Sequence, residues 1–192
     1  MKKYVYGYSI RTLDIDSDWT QKRREEFLLI PDVEVPKSVD SNVWQEISSQ
    51  MVETNFGKMP LPQWGDREKM LLSCDYRPSM TDMAELTIIV FVDDDEIPPE
   101  YIVANDIEPI ESCAGHFIGY DIADEGLTSS VSNCGYSEAE IVFAKSNYAE
   151  KINKHGLFDD LLVANSFLEY SLRRVPEHSP FYVYGLFLDK EI

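Results

Sequence analysis

Leu86-Thr87-Ile88-Ile89-Val90-Phe91-Val92 carries no charge and is dominated by β-branched and aromatic side chains. A strand with one face in water alternates apolar and polar residues. This one does not, so both its faces are predicted to be buried, in the middle of a sheet. It stops at Asp93-Asp94-Asp95-Glu96, followed by Ile97-Pro98-Pro99. Four adjacent carboxylates are too costly to bury unpaired, so at the end of an interior strand they must face solvent or a partner. The junction sets two expectations: a sheet built around this strand, and a sharply acidic exit from it.

Working outward, Tyr4–Leu13, Gly115–Ile122 and Phe181–Leu188 also read as strands, being rich in aromatic and β-branched residues, and Lys69–Cys74 reads as a further strand. Tyr-Val-Tyr-Gly occurs at 4–7 and again at 182–185. Four residues are too few for a repeat, but the two strands could be neighbours, each Gly allowing a bulge or a close approach. Asp16–Ile30 fits a helix surface in its charged middle and a strand at its end. The prolines at 31 and 36 mark a connection. Val39–Phe56 is predicted as a helix, capped by Asp40 or Ser41 and ended by Gly57, with Trp44, Ile47 and Met51 on one side. Lys58–Asp66 then reads as a loop, as does the small, polar stretch Leu127–Tyr136.

Ser137-Glu138-Ala139-Glu140 matches a capping box, so a helix should begin there, with Ile141, Tyr148 and Ile152 on its apolar face and Gly156 as its stop. A second helix is expected over Phe158–Arg174. Leu161, Leu168 and Leu172 would lie along one side, with Asp159 and Asp160 at the start and Arg173 and Arg174 at the end complementing the helix dipole. Strands and helices interleave without a strict βαβ rhythm. The expectation is therefore α+β: one domain over residues 1–192, a mixed β-sheet packed with three to four α-helices. No stretch approaches the ~18 consecutive apolar residues of a membrane span. The start, Met1-Lys2-Lys3-Tyr4, lacks the apolar core of a signal peptide, so the expected location is the cytoplasm, without membrane association.

The charge is concentrated. Of a formal −18, fifteen negative charges fall between Pro78 and Ala144, where there is no Lys or Arg; the rest of the chain carries 17 basic and 20 acidic residues. An even spread would place roughly six basic residues in that window. Such a field repels nucleic acid and anionic lipid, and it speeds association with a basic partner. The basic clusters Lys22-Arg23-Arg24 and Arg173-Arg174 are short and are explained by helix surfaces, so nucleic-acid binding is not expected. An acidic array can instead imitate a phosphate backbone in spacing and sign.

Motifs for chemistry are weak. Cys113-x-x-His116 has the spacing of half a zinc site, but Cys134 and His155 complete no compact finger or knuckle. Cys113 or Cys134 with His116 and Asp121 could make a cysteine hydrolase, though acidic surroundings raise a thiol pKa and weaken the nucleophile. The 93–96 run fails as an EF-hand loop: its sixth residue is Pro98 and its twelfth Ala104. There is no Walker loop and no G-x-G-x-x-G. Cys74, Cys113 and Cys134, odd in number and widely spaced, describe no disulfide framework. No cofactor or metal is expected.

The segment from His116 to Leu188 carries a resemblance. It runs through Gly119-Tyr120-Asp121-Ile122-Ala123-Asp124 and Ser132-Asn133-Cys134-Gly135-Tyr136. It continues with Asn153-Lys154-His155-Gly156-Leu157-Phe158 and with Arg174-Val175-Pro176-Glu177-His178-Ser179-Pro180-Phe181-Tyr182-Val183-Tyr184-Gly185. It resembles small cytoplasmic immunity proteins paired with bacterial toxins, particularly those of contact-dependent growth inhibition. The resemblance implies a non-catalytic protein that binds one toxin domain tightly, 1:1, and blocks its active site or substrate surface. Toxin nucleases are commonly basic, because they must hold RNA or DNA, and their antidotes are often acidic. The expected contacts with a basic toxin, a nuclease above all, are Asp93, Asp94, Asp95, Glu96, Asp106, Glu108, Glu111, Asp121, Asp124 and Glu125. Exposed Tyr or Trp should supply the affinity. Two other readings stand beside it: the small cysteine-dependent hydrolase, and an acidic regulatory or scaffold domain for another basic protein.

Overall fold

The computed structural model describes residues 1–12, 51–54, 57–60, 83–96, 109–124, 129–132, 135–153, 155–175 and 179–191. The expectations for Asp16–Ile30, for Lys69–Cys74 and for most of the helix at 39–56 lie outside these residues. Four strands form one sheet: β1 (Lys2–Thr12), β4 (Met83–Val92), β5 (His116–Asp124) and β6 (Phe181–Glu191), in the order β1-β4-β6-β5. β2 (Met51–Thr54) and β3 (Gly57–Pro60) form a separate hairpin. Two helices follow β5: α1 (Glu138–Tyr148) and α2 (Leu161–Arg174).

The strand read as central is central. β4 pairs with β1 on one side and β6 on the other, and Leu86 through Val92 are buried on both faces. The Tyr-Val-Tyr-Gly strands are not neighbours, because β4 separates them. Tyr6 and Tyr184 nevertheless meet over it, edge to face, with ring centroids 4.9 Å apart. Their glycines act as read: the β1–β4 register shifts between Val5 and Gly7, and the Phe91 and Phe187 rings close over Gly185.

The fold is α+β with two corrections. Every pairing of the four-stranded sheet is antiparallel, where a mixed sheet was expected, and the described residues hold two helices rather than three to four. Neither helix links adjacent parallel strands; both lie between β5 and β6, which pair antiparallel. Met51–Thr54, assigned to the end of a helix, pairs with Gly57–Pro60 as a hairpin, closing at Thr54↔Gly57. Gly57 is therefore a strand residue, not a helix stop.

The two faces of the sheet bury separate clusters. Ile89, Phe91, Ile122, Phe181 and Val183 pack with Ala144 and Tyr148 of α1 and with Ala164, Phe167 and Tyr170 of α2. Tyr4, Tyr6, Leu86, Ile88, Val90, Tyr184 and Leu186 form the other cluster. Burying one such phenyl group contributes roughly 1.5–3 kcal/mol, so Phe158 and Phe167, both fully buried, are major supports of the helix side.

The helix starts follow local chemistry. The Glu140 carboxylate accepts hydrogen bonds from the Ser137 backbone N–H (2.9 Å) and hydroxyl (2.8 Å). α1 ends earlier than read, tightening into a 3-10 turn at Ala149–Lys151; Ile152 and Phe158 then bridge as short extended pieces. α2 begins at Leu161, not Phe158, because Asp160 caps it: its carboxylate accepts from Leu162 N (2.7 Å) and Val163 N (3.0 Å). Its buried line is Ala164, Phe167 and Ser171, with Tyr170. Small Ala164 and Ser171 allow close approach to the sheet, which leaves Leu161 and Leu168 on the flank and Leu172 exposed.

Candidate functional site: an acidic end of the sheet

The antiparallel order gathers the acidic residues. β1 and β6 start at the end of the sheet where β4 and β5 finish. Asp93–Glu96 leaves β4 there, and Asp124 ends β5 there, two strand spacings or about 10 Å across the sheet. The Ile110 N–H donates to the Lys3 carbonyl at 2.8 Å, which puts Glu111 beside the start of β1 at the same end. Residues far apart in sequence thus converge.

The 93–96 run is a tight turn, closed by the Glu96 N–H donating to the Asp93 carbonyl at 3.0 Å. All four side chains are exposed. A turn fits the sequence because a short carboxylate side chain tolerates turn backbone and no apolar group has to be buried. Some of the charge is answered locally. The Met1 amino group lies 3.1 Å from Asp94 Oδ1, the Lys2 ammonium donates to the Asp94 carbonyl at 3.2 Å, and the Lys3 ammonium sits 5.8 Å from the centroid of the Phe91 ring.

Asp121 differs from its neighbours. Like Asp124 it is half-buried, but its Oδ1 accepts from the Ser129 hydroxyl at 2.6 Å and from the Ile122 N–H at 2.8 Å. It holds Ser129, next to a buried polar chain. There Ser130 donates to the Ile122 carbonyl (3.0 Å), Ser171 lies 3.1 Å from the Ser130 hydroxyl, and Tyr136 donates to Ser171 (2.8 Å). This chain ties the loop, α2 and the entry of α1 to the acidic end of β5. Asp106, Glu108 and Glu125, also expected as contacts, lie outside the described residues.

The residues considered for catalysis are placed as follows. Cys113 is half-buried, and its thiol donates to the Ala114 carbonyl at 3.0 Å; His116 is exposed at the first position of β5. Cys134 and Cys74 lie outside the described residues. Among the described residues no three His, Cys, Asp or Glu side chains come together to hold a metal ion, and no helix is long and apolar enough to cross a membrane. The Asn153–Phe158 motif has a structural task. Asn153 donates to the Ile118 carbonyl (2.8 Å) and accepts from His155 N (2.9 Å) and Leu157 N (3.2 Å), so the loop docks against the bulge of β5 at Gly119.

One feature escaped the sequence reading. Ala139, Val142, Phe143 and Ser146 are all exposed on α1, with Val142 65% and Phe143 51% accessible. Their spacing, i, i+3, i+4 and i+7, is that of a helix-packing stripe, opposite the inward line of Ile141, Ala144 and Tyr148. The spacing is plain in the sequence, but two apolar stripes on one helix cancel each other as an amphipathic signal. Phe143 is also supported: its ring stacks on Tyr170 (5.4 Å, 19°), and Tyr170 stacks on Tyr136 (5.6 Å, 19°). Tyr170 donates to the Glu140 carbonyl at 2.9 Å.

Comparison with known proteins finds no matching family model, no matching curated protein and no matching solved structure.

Proposed function

We propose that this chain is a non-catalytic immunity protein that binds and neutralises a cognate basic toxin domain, a nuclease, by occluding its active site or substrate surface. The observation that supports this reading is the convergence of Asp93–Glu96, Glu111 and Asp124 on one end of the sheet, within a 67-residue region that has no basic side chain. A surface on which carboxylates outnumber the Met1, Lys2 and Lys3 cations beside them steers an oppositely charged partner and disfavours nucleic acid. Asp121 would act from behind, holding the segment that leaves β5 rather than touching the partner.

The test is co-purification of the tagged protein with the basic product of the adjacent upstream gene, at low and high salt, with a toxicity assay. The expected result is a 1:1 complex in which toxicity is abolished. Replacing Asp93, Asp94 and Asp95 by Asn and Glu96 by Gln should slow association about tenfold at low salt and flatten its salt dependence. An unchanged on-rate would remove the turn from the interface. Failure to hold any basic protein at either salt would overturn the reading and return attention to the Cys113 thiol. Capture of a basic protein without toxicity would favour the regulatory or scaffold alternative.

A further inference from the structure

We infer that the loop from Ile152 to Phe158 is a strap, keyed by Asn153, that seals the β5 edge of the sheet against pairing with the β5 edge of a second copy. The inference is independent of the function proposed above. An edge strand presents backbone N–H and C=O groups that another strand can take up, and a long apolar edge is a template for that addition. β5 runs for nine residues, includes Phe117, Ile118, Tyr120 and Ile122, and has no Lys or Arg of the kind that keeps an edge unpaired. Its outward backbone groups are instead taken up within the chain. The Ile118 carbonyl accepts from Asn153 Nδ2 at 2.8 Å. Tyr120 exchanges both its backbone bonds with Phe158, at 2.7 and 2.9 Å. The Ile122 N–H donates to the Asp121 carboxylate at 2.8 Å, and the Ile122 carbonyl accepts from the Ser130 hydroxyl at 3.0 Å.

Side chains supply the contacts at Ile118 and Ile122, and a side chain carries no further ladder. The strap therefore closes one edge without creating another. Its outer arm, Ile152 and Asn153, leaves the 3-10 turn at Ala149–Lys151 and folds back on Leu157 and Phe158, too short to template a strand. Asn153 joins the two halves because its amide is used on both sides. Nδ2 donates to the Ile118 carbonyl and, at 2.7 Å, to Asp159 Oδ1; Oδ1 accepts from the His155 and Leu157 N–H groups. One side holds the sheet edge and the other holds the loop. Gly119 fits the same reading, since a Cβ there would stand 2.5 Å from Leu157 Cβ and 3.0 Å from Asn153 Nδ2. The strap lies closer to β5 than any other residue at 119 would allow.

The experiment uses Asn153→Asp, which keeps the Oδ1 acceptor for the loop and removes the donor to the Ile118 carbonyl. Amide hydrogen exchange and sedimentation at rising concentration are measured in about 0.15 M salt, which screens the repulsion between two acidic copies. Exchange at the Tyr120 N–H should be about 10- to 100-fold faster, with the β4–β6 amides at parental rates. The variant should form a concentration-dependent dimer and bind a peptide of residues 116–124. The same peptide with Tyr120→Pro, which lacks a ladder donor, should not bind. A parental exchange rate at Tyr120 would overturn the inference. So would a variant that exchanges faster yet stays monomeric and binds no peptide, or a parent that already binds the peptide. Asp159→Ala, which removes the exposed partner that orients the Asn153 amide, decides the matter should Asn153→Asp fail to fold. It should speed Tyr120 exchange about threefold and admit the peptide; unchanged exchange would overturn the strap.

Discussion

Gly119→Ala tests the fold where the backbone is most constrained. Gly119 lies at the register shift of β5 against β6, with φ of +141°, a conformation that L side chains rarely adopt. A Cβ built there would stand 2.5 Å from Leu157 Cβ, 3.0 Å from Asn153 Nδ2 and 3.2 Å from the Phe158 carbonyl oxygen. None of these neighbours yields easily. The nearest atom is the root of a buried side chain, Asn153 is engaged with Ile118, and the Phe158 carbonyl accepts from the Tyr120 N–H at 2.7 Å. Backbone strain contributes about 1–3 kcal/mol and overpacking about 1–3 kcal/mol. The smaller conformational freedom of unfolded alanine offsets about 0.4–1 kcal/mol. The net destabilisation should be about 2–5 kcal/mol, a large part of the roughly 5–15 kcal/mol that holds a typical domain together. The assay is equilibrium urea unfolding followed by circular dichroism, read as a midpoint shift at constant slope. Leu157→Ala would not relieve the contact, because alanine keeps its Cβ, but Leu157→Gly would. In a Leu157→Gly background, Gly119→Ala should therefore cost less. A destabilisation below about 0.5 kcal/mol would refute the strain argument. An equal cost in both backgrounds would refute the contact argument.

Ser171→Ala should destabilise by about 1–3 kcal/mol, because it removes the buried hydroxyl that accepts from Tyr136 and donates toward Ser130. Adding Tyr136→Phe should recover part of that loss, and strictly additive costs in the urea assay would count against a shared network. Glu140 is held below its ordinary value of 4.5 mainly by the Ser137 backbone N–H, with the Ser137 hydroxyl and, last, Arg174 acting in the same direction. Its stabilising contribution is therefore present above the ordinary carboxylate range and is lost as pH falls through the lowered folded-state pKa. The stability gap between the parent and Glu140→Gln should close on acidification from pH ~7 toward pH ~3; a constant gap would contradict the assignment.

Much of this architecture was legible because its signals are local. The run at 86–92 announces a strand buried on both faces without reference to any other part of the chain. Ser137 with Glu140, and Asp160 before an apolar period, announce helix starts by capping chemistry that acts within four residues. Errors arose where the deciding contacts are long-range. Phe158 carries an apolar side chain suited to a helix, yet its backbone pairs with Tyr120, and nothing near 158 encodes that partner. At 51–60 the spacing of Trp44, Ile47 and Met51 pointed to a helix, while Val52 and Thr54 suited the strand that forms. The bulge at Gly119 has the same character: an isolated glycine in a strand is ambiguous until the loop that presses on it is known. For the candidate site, the acidity was visible as composition. Its convergence required strand order, which sequence does not state, and Asp121 could be told from Asp124 only once Ser129 was seen to donate to it.

The charged end of the sheet makes a kinetic claim that can be tested. At physiological salt a carboxylate is felt over about 8 Å, and an exposed ion pair is worth roughly 0–1 kcal/mol. The turn at 93–96 therefore cannot by itself give a long-lived complex, however many charges it holds. It can bend the approach of a basic partner while that partner is still hydrated. Neutralising 93–96 should therefore lower the on-rate and its salt slope while the off-rate stays near the parent. An off-rate set by the 93–96 carboxylates would show that charge holds the complex and does more than guide its encounter.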